Sequence, residues 1–328
     1  MKVFIAQPIQ PNGIEMLKKV AEVVESPKKR PLERSEFLSQ IKDVDAIVLP
    51  WHTDVMDKEA FTVAKKLKII ARHGVGYENI DLEEATRRGI YVTICPVHTK
   101  SVADTAFTLI VCAARKITQA DHFVKSKKWI VGGEWVAWKF MGIDLHDKTL
   151  GVIGAGRIGA DVLRRGTGFN MDLLYFDVES KPELEKEIGA KKVSLETLLK
   201  ESDFISVNTN LTEKTKNLIS GKEFEMMKKN AVIVNTSRGP VIDEKALYQA
   251  LKNKRIAAAG LDVYQEEPLP LDSPLLGLEN VILLPHIGSA ALEMRYKMAE
   301  VTCQSVIDVF AGKEPKYLLN SEIKNKQF

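Results

Sequence analysis

The stretch "TLGVIGAGRIGADVLRR", residues 149–165, decides the fold. A short apolar run typical of a buried strand comes first, and a pattern typical of an amphipathic helix follows. Between them lie Gly154, Gly156 and Gly159, in the spacing G-x-G-x-x-G. In that context the first glycine allows a tight turn, the second lets the backbone approach a pyrophosphate, and the third lets the helix pack close to the sheet. The stretch therefore predicts a dinucleotide-binding turn.

The next predicted strand, "LLYFDVES" at residues 173–180, supplies an acid at the expected distance. Asp177 follows Gly159 by 18 residues. A carboxylate at this place accepts hydrogen bonds from the ribose hydroxyls and repels a 2′-phosphate. No arginine follows it directly, and Lys181 is the one nearby cation. The sequence therefore predicts NAD as cofactor, with NADH preferred over NADPH.

The same alternation of strands and helices extends over the whole chain. This order predicts an α/β protein whose parallel sheets are covered by helices on both faces. Tryptophans and glycines interrupt the pattern at 127–142, which predicts a connecting loop whose rings pack on other surfaces. Strands are predicted at 2–6, 46–50, 67–71, 90–94, 149–153, 172–176, 203–207, 231–235, 257–262 and 281–284, and long helices at 12–24, 57–67, 101–123 and 290–311.

Composition excludes several classes of protein. A chain of 328 residues favours two domains, and a net charge of +3 with 28% charged residues gives no basis for nucleic-acid binding. Cys95, Cys112 and Cys303 fit neither a zinc site nor a disulfide framework, and the histidines lack partners at metal-ligand spacing. The first residues hold only a four-residue apolar run, and no run is long enough to span a membrane. We therefore expect a cytoplasmic protein without a bound metal.

Polar side chains follow three of the later predicted strands. Arg238 comes after the strand at 231–235, Asp262 and Glu267 come at and after the end of the next, and His286 follows the last. Open parallel sheets bind ligands at these carboxyl ends. Reduction of a 2-keto acid needs a hydride from a nicotinamide and a proton for the carbonyl oxygen. His286 can donate that proton beside Glu267, and the planar guanidinium of Arg238 can hold the substrate carboxylate.

With these residues in place, the chain resembles the D-isomer-specific 2-hydroxyacid dehydrogenases from about residue 40 to 315. It is most similar to their glyoxylate/hydroxypyruvate reductase branch. The motifs that carry the resemblance are "GVGYENIDLEEATRRGIYV" (74–92), "DLHDKTLGVIGAGRIG" (144–159), "NTSRGPVIDEKAL" (235–247), "GLDVYQEEP" (260–268) and "LPHIGSA" (284–290).

The resemblance implies a split fold. A Rossmann cofactor domain, residues 101–289, is inserted into a flavodoxin-like substrate domain formed by residues 1–100 and 290–328. The long helices predicted at 101–123 and 290–311 then cross between the domains. Members of the family usually form dimers through the cofactor domain, so we expect a homodimer.

The resemblance also assigns roles. Arg238, Glu267 and His286 match the catalytic set, and the backbone of Val75 and Gly76 matches the donors that, with Arg238 and His286, bind the substrate. The cofactor contacts given by the turn and the resemblance together are Gly154, Gly156, Arg157, Ile158, Gly159, Asp177, Thr209, Thr215, Thr236, Ser237, Asp262 and Ser289.

Departures and alternatives remain. Asn208 and Asn210 stand where the family commonly has histidine and proline. Trp51 and His52 are candidates for the substrate pocket, and Trp138 is a candidate for reaching the neighbouring subunit.

The leading interpretation is an NAD-dependent enzyme that interconverts glyoxylate, hydroxypyruvate or a similar 2-keto acid and its D-2-hydroxy acid. A short-type phosphoglycerate dehydrogenase and an NAD-sensing scaffold, similar to a transcriptional corepressor, stay open.

Overall fold

The computed structural model describes residues 1–28, 30–131, 133 and 135–326, with side chains up to residue 323. The chain forms two compact units, Met1–His98 with Ala290–Phe328 and Thr99–Ser289. Each unit contains one parallel β-sheet. Among the described residues, none of the helices combines the length and the apolar character that crossing a membrane demands.

The sheet of the first unit has five parallel strands in the order β2-β1-β3-β4-β5, which is the flavodoxin-like order. Val3 lies opposite both Val23 and Ala46, so β1 lies between β2 and β3. Along the chain the elements are β1 (Lys2–Ile5), α1 (Pro11–Lys18), β2 (Glu22–Glu25), α2 (Arg34–Gln40), β3 (Ala46–Leu49), α3 (Lys58–Val63), β4 (Ile69–Arg72), α4 (Leu82–Arg87) and β5 (Tyr91–Thr93).

Two sequence predictions in this unit are wrong at their ends. The helix predicted at 12–24 ends at Lys18, and its last residues form β2 instead. Val23 and Val24 in β2 are only half-buried because this strand lies at the sheet edge, so its apolar signal is weak. The helix predicted at 57–67 covers only Lys58–Val63. Asp57 caps its start by accepting a hydrogen bond from Ala60 N at 3.0 Å.

The second unit has a seven-stranded parallel sheet in the order β12-β11-β10-β9-β6-β7-β8, the doubly wound order of a Rossmann domain. The strand order reverses between β6 and β9, and ligands bind such sheets at this point. The elements are α5 (Thr99–Ala114), α6 (Ile117–Lys125), α7 (Val136–Lys139), β6 (Thr149–Ile153), α8 (Arg157–Thr167), β7 (Asp172–Phe176), α9 (Pro182–Ile188), β8 (Lys191–Lys192), α10 (Leu195–Glu201), β9 (Phe204–Val207), α11 (Gly221–Met226), β10 (Val232–Asn235), α12 (Glu244–Lys252), β11 (Ala258–Leu261) and β12 (Val281–Leu283).

The helix predicted at 101–123 is two helices. Lys116 adopts a left-handed backbone conformation with φ of 53°, which ends α5 and redirects the chain into α6. The apolar residues of α5 are buried against the sheet, whereas α6 has no fully buried residue. The two helices therefore serve different purposes, and only the first belongs to the core.

The tryptophan-rich stretch at 127–142 also differs from its prediction. Trp129, Trp135 and Trp138 are 66%, 77% and 68% exposed, so their rings are not packed on other surfaces of the described chain. The short helix α7 lies within this stretch, and Gly132 and Glu134 lie outside the described residues.

The last helix, α13 (Leu292–Phe310), returns the chain to the first unit and packs against α1. The approach is close, because a Cβ atom added at Gly13 would lie 2.8 Å from Cys303 Sγ and 2.9 Å from Ala299 O. With two parallel α/β sheets, one Rossmann-ordered and one flavodoxin-ordered, the predicted fold class is confirmed.

Candidate functional site

The turn after β6 has the geometry that its glycines predict. Gly154 has a φ of +88°, and a Cβ atom there would lie 2.9 Å from the backbone of Asn208 and Thr209. Gly156 is the N-cap of α8, and a Cβ added to it would meet nothing within 4 Å. A Cβ at Gly159 would lie 2.0 Å from Gly154 O. The turn thus presents the start of an eleven-residue helix to open space at the point where the strand order reverses.

Asp177, directly after β7, stabilises this turn through hydrogen bonds. Its Oδ2 accepts a hydrogen bond from Ala155 N at 2.8 Å, and its Oδ1 accepts one from Glu179 N at 3.0 Å. Lys181 Nζ lies 4.0 Å from Asp177 Oδ1 and forms a shorter ion pair with Glu179, at 2.8 Å. The carboxylate therefore lies beside the turn, where the sequence predicts it, with a cation next to it.

The other predicted cofactor residues follow the ends of neighbouring strands. Thr209 comes after β9 and is half-buried. Thr215 closes its own loop, because its hydroxyl donates to Asn210 O at 2.6 Å and accepts from Thr212 N at 2.7 Å. After β10, the hydroxyl oxygen of Thr236 is buried and makes no hydrogen bond to any described residue. It is thus a polar atom to which a ligand can bind at this edge of the sheet.

Arg238 is held by a side chain whose role the sequence did not reveal. Asn235, the last residue of β10, donates to Arg238 O at 2.9 Å and accepts from both the backbone N and the hydroxyl of Ser237, at 2.9 and 2.8 Å. Asparagine commonly organises turns in this way. The Asn235 side chain therefore fixes the backbone at Ser237 and Arg238, from which the guanidinium extends.

His286 and Glu267 form the pair that the sequence predicts. The distance between His286 Nδ1 and Glu267 Oε2 is 2.7 Å. The histidine side chain is 37% exposed and the glutamate side chain 16%, so the imidazole is accessible while its partner is largely covered. Glu267 is itself positioned, because Tyr264 N donates to its Oε1 at 3.1 Å.

The backbone of His286 is left-handed, with φ of 55°. Asp262, which is 1% exposed, accepts hydrogen bonds from Ile287 N and Gly288 N, both at 2.7 Å. These bonds hold the segment after the histidine. Burial raises the pKa of the Asp262 carboxyl, and the two backbone donors and the charge of His286 oppose that rise. Residues with such a backbone cluster at functional sites because the surroundings must enforce them.

Tyr264 is a second residue that the sequence did not reveal. Its hydroxyl donates to Leu284 O at 2.7 Å, which ties the loop after β11 to the end of β12. A Cβ at Gly239 would lie 1.8 Å from Tyr264 O, so only glycine lets the Arg238 loop approach so closely. No periodicity in the sequence signals these contacts, because they form between loops.

In the other unit, the predicted substrate donors Val75 and Gly76 lie in the loop after β4. Gly76 is buried, and its carbonyl oxygen accepts a hydrogen bond from Arg72 Nε at 2.7 Å. Gly74 O accepts from Cys95 N at 2.8 Å. Both neighbours of Val75 are thus held through their carbonyl groups.

These features fit a nicotinamide dinucleotide. The open space before Gly156 admits a pyrophosphate at the helix N-terminus, where the backbone N–H groups of Arg157 and Ile158 begin the helix. Asp177 lies beside the turn, where the sequence predicts a partner for the ribose hydroxyls, and Ser289 follows the His286 segment. The trio Arg238, Glu267 and His286 supplies a guanidinium and a carboxylate-paired imidazole on three adjacent strand ends. Such a set suits proton transfer to an anionic substrate.

The chain is similar to known proteins over most of its length. Residues 107–288 match the family described as "D-isomer specific 2-hydroxyacid dehydrogenase, NAD binding domain". The chain is 48% identical to the glyoxylate reductase of Thermococcus litoralis, over 98% of this chain and 97% of the relative.

Solved structures agree. The chain is similar to a glyoxylate reductase from Paecilomyes thermophila, with a TM-score of 0.84 and 33% identity over 98% of this chain and 99% of that one. It is also similar to an NADPH-dependent glyoxylate/hydroxypyruvate reductase from Sinorhizobium meliloti, with a TM-score of 0.84 and 28% identity over 97% of each. The predicted resemblance is confirmed: the chain belongs to the D-isomer-specific 2-hydroxyacid dehydrogenase family and is an NAD-dependent enzyme of that family.

Proposed function

We propose that this enzyme reduces glyoxylate, hydroxypyruvate or a similarly small 2-keto acid to the D-2-hydroxy acid, with NADH as the reductant. The observation that carries the proposal is the 2.7 Å contact between His286 and Glu267, on a strand end of the sheet that bears the Gly154 turn. The glyoxylate reductase relatives support the substrate class.

In the proposed reaction, the coenzyme and a small set of protein groups each have one task. Bound NADH supplies a hydride to the carbonyl carbon. His286 donates a proton from Nε2 to the carbonyl oxygen, and Glu267 holds the imidazolium through Nδ1. Arg238 binds the substrate carboxylate and polarises the carbonyl group, and the backbone N–H groups of Val75 and Gly76 contribute to carboxylate binding. In the opposite direction His286 accepts the proton of the hydroxyl group.

The decisive test is a kinetic panel. Purified protein is mixed with NADH or NADPH and with glyoxylate, hydroxypyruvate, pyruvate, 2-ketogluconate or 3-phosphohydroxypyruvate, and the absorbance of the reduced nicotinamide is followed. We expect turnover of the two small acids with NADH. Preference for the phosphorylated acid indicates a phosphoglycerate dehydrogenase. Absence of turnover with every acid, combined with tight NADH binding, indicates an NAD-sensing scaffold.

The preference for NADH is proposed from Asp177, whose carboxylate repels a 2′-phosphate. Lys181 lies next to it and reduces that repulsion, and the Sinorhizobium meliloti relative is NADPH-dependent. The choice of coenzyme therefore depends on the balance between one anion and one cation.

Asp177→Ala is expected to lower the ratio of kcat/KM with NADH to that with NADPH by about tenfold or more, because one repulsive charge near the phosphate is removed. Initial-rate kinetics with both coenzymes measure the ratio. Asp172→Ala is the matched control, since it removes a carboxylate from the exposed start of the same strand, β7. An unchanged ratio in Asp177→Ala means that another group sets the preference.

We propose further that the enzyme is a homodimer through its cofactor domain. The support is an apolar patch, which we call the tryptophan patch, in which every side chain is more than half exposed. Exposed apolar side chains that are grouped in this way often mark an interaction site. A second copy of the chain is the occupant that we propose, because family members usually dimerise through this domain. The patch consists of Trp129, Ile130, Val131, Trp135, Trp138 and Met141.

Trp135→Glu is expected to turn a dimer into a monomer, because a carboxylate then replaces the most exposed ring of the patch and its burial is costly. Sedimentation velocity measures the mass. Leu271→Glu is the control, since Leu271 is 97% exposed in the same unit but outside the patch. A wild-type monomer, or a Trp135→Glu dimer of unchanged stability, contradicts the proposal.

A further inference from the structure

Three polar side chains are buried together at the carboxyl ends of β1, β3 and β4 in the first unit. Gln7, Asp54 and Arg72 are 3%, 2% and 7% exposed. Buried polar groups cost free energy unless they are paired, so such a cluster needs an explanation. None of the three belongs to the catalytic trio or to the cofactor turn.

Arg72 supports the loop that carries Val75 and Gly76. Its Nε donates to Gly76 O at 2.7 Å, and its Nη1 donates to Leu49 O at 2.7 Å and to Pro50 O at 2.5 Å. The guanidinium thus ties this loop to the end of β3 and places a buried positive charge beneath it. Positive charge at this place strengthens the binding of a carboxylate by the loop.

Asp54 is the carboxyl group whose pKa burial raises and that charge lowers. Its Oδ2 accepts a hydrogen bond from Gln7 Nε2 at 2.8 Å. Its carbonyl oxygen accepts one from Asn79 Nδ2 at 2.7 Å, and Asn79 belongs to the same stretch as the substrate loop. Gln7 Oε1 is buried and accepts no hydrogen bond from the described residues. A proton on Asp54 is suited to that acceptor, because a carboxylic acid and a carboxamide form two reciprocal hydrogen bonds.

Burial raises the pKa of the Asp54 carboxyl to about 6, and the charge of Arg72 acts against this rise. Arg72 is the charged group among the described residues that acts on this pKa. The neighbouring His73 is also buried, and its pKa is lowered to about 3 by burial and by Arg295, so it stays neutral near pH 6. Asp54 is therefore the group in this cluster that changes charge near neutral pH.

We propose that Asp54 is a positioning residue for substrate binding, which sets the charge beneath the Val75–Gly76 loop by taking up or releasing a proton against Gln7. Protonation of Asp54 removes one negative charge from the surroundings of Arg72 and the Val75–Gly76 loop, and an anionic substrate then binds more tightly. Ionisation of Asp54 restores that negative charge, and the substrate binds less tightly. The inference rests on the proposed role of Val75 and Gly76 as carboxylate donors.

The proposal predicts the direction in which KM changes with pH. As the pH rises from 5 to 7.5, Asp54 loses its proton and KM for glyoxylate is expected to rise by about threefold to tenfold. Linkage requires the converse as well: binding of the substrate anion raises the pKa of Asp54. Because the proposed effect acts on binding of the substrate carboxylate and not on hydride or proton transfer, kcat is expected to change little.

Asp54→Asn tests the proposal, because asparagine preserves both hydrogen bonds to Gln7 and is always neutral. We expect a low KM that varies less with pH than that of the wild type, while kcat keeps the wild-type pH profile. Glu83→Gln is the control, since it removes an exposed carboxylate from α4 of the same unit and is expected to leave the pH dependence of KM unchanged. Identical KM profiles for wild type and Asp54→Asn overturn the proposal.

A readout independent of activity separates this inference from the proposed function. Infrared difference spectra between wild type and Asp54→Asn, recorded across pH 4–8, report the carbonyl band of the protonated carboxyl. We expect a midpoint near pH 6, whatever the substrate of the enzyme. A midpoint near the ordinary value for aspartate overturns the inference. If the kinetic panel shows no turnover while the infrared midpoint lies near pH 6, the proposed function is overturned instead.

Gln7→Leu is a second variant, for the case that Asp54→Asn does not fold. Leucine removes the amide that donates to Asp54 Oδ2, a hydrogen bond that is stronger when the carboxyl is ionised, and it makes the surroundings more apolar. The midpoint of the KM profile is therefore expected to move to higher pH. An unmoved midpoint contradicts the pairing of Asp54 with Gln7.

Discussion

His286→Ala is expected to lower kcat for glyoxylate reduction by about a hundredfold to ten-thousandfold, which is the usual contribution of a positioned general acid. In the proposed mechanism the imidazole, whose Nδ1 lies 2.7 Å from Glu267 Oε2, carries the proton, and alanine removes that proton donor from the carbonyl oxygen. Stopped-flow and steady-state measurements of kcat test the loss, and fluorescence titration measures NADH affinity. We expect that affinity to be nearly unchanged, because the Gly154 turn is untouched.

Glu267→Gln is the matched comparison for this prediction. Glutamine keeps the size of the side chain but cannot stabilise the imidazolium by charge, so we expect kcat to fall, but by less than in His286→Ala. Near-normal turnover in His286→Ala removes the histidine from the mechanism. A similar loss of NADH binding in both variants points to a structural defect instead.

The second large effect is expected at the cofactor turn. Gly156→Ala is expected to weaken NADH binding by about tenfold or more, because the new methyl group enters the space that the pyrophosphate needs. Nothing in the protein lies within 4 Å of that methyl group, so the melting temperature is expected to stay close to that of the wild type. Calorimetric titration with NADH and a thermal melt measure the two quantities separately.

Gly159→Ala is the contrasting variant. Its methyl group would lie 2.0 Å from Gly154 O, and backbone at that distance has to move. We expect a loss of stability of roughly 1–3 kcal/mol or more, together with weaker NADH binding, since overpacking distorts the turn. If Gly156→Ala destabilises the fold as much as Gly159→Ala, the space before Gly156 is not reserved for a ligand.

The strands of the second unit were predictable because they are buried. β6 and β7 lie at the predicted residues 149–153 and 172–176, since a strand covered on both faces is apolar throughout. β8 was missed because it has two residues, both lysines and both exposed. The division at Lys116 was missed for another reason: a left-handed lysine has no sequence signal, and tertiary packing alone enforces it.

Some features of the candidate site could also be predicted from the sequence, and others could not. The pairing of His286 with Glu267 followed from strand ends, because the carboxyl ends of adjacent parallel strands meet at one edge. The supporting contacts of Tyr264 and Asn235 did not follow, since they join loops whose course the sequence pattern does not determine. The burial of Asp54 was equally invisible, because an aspartate between two strands is usually exposed.

The packing of α13 on α1 has a consequence for synthesis on the ribosome. Strands β1 to β5 leave the ribosome long before α13, which supplies the surface next to Gly13. The second unit, by contrast, is continuous from Thr99 to Ser289 and has all its strands before α13 is made. We therefore expect the continuous unit to fold first, and the strands of the first unit to complete their packing only when α13 is made.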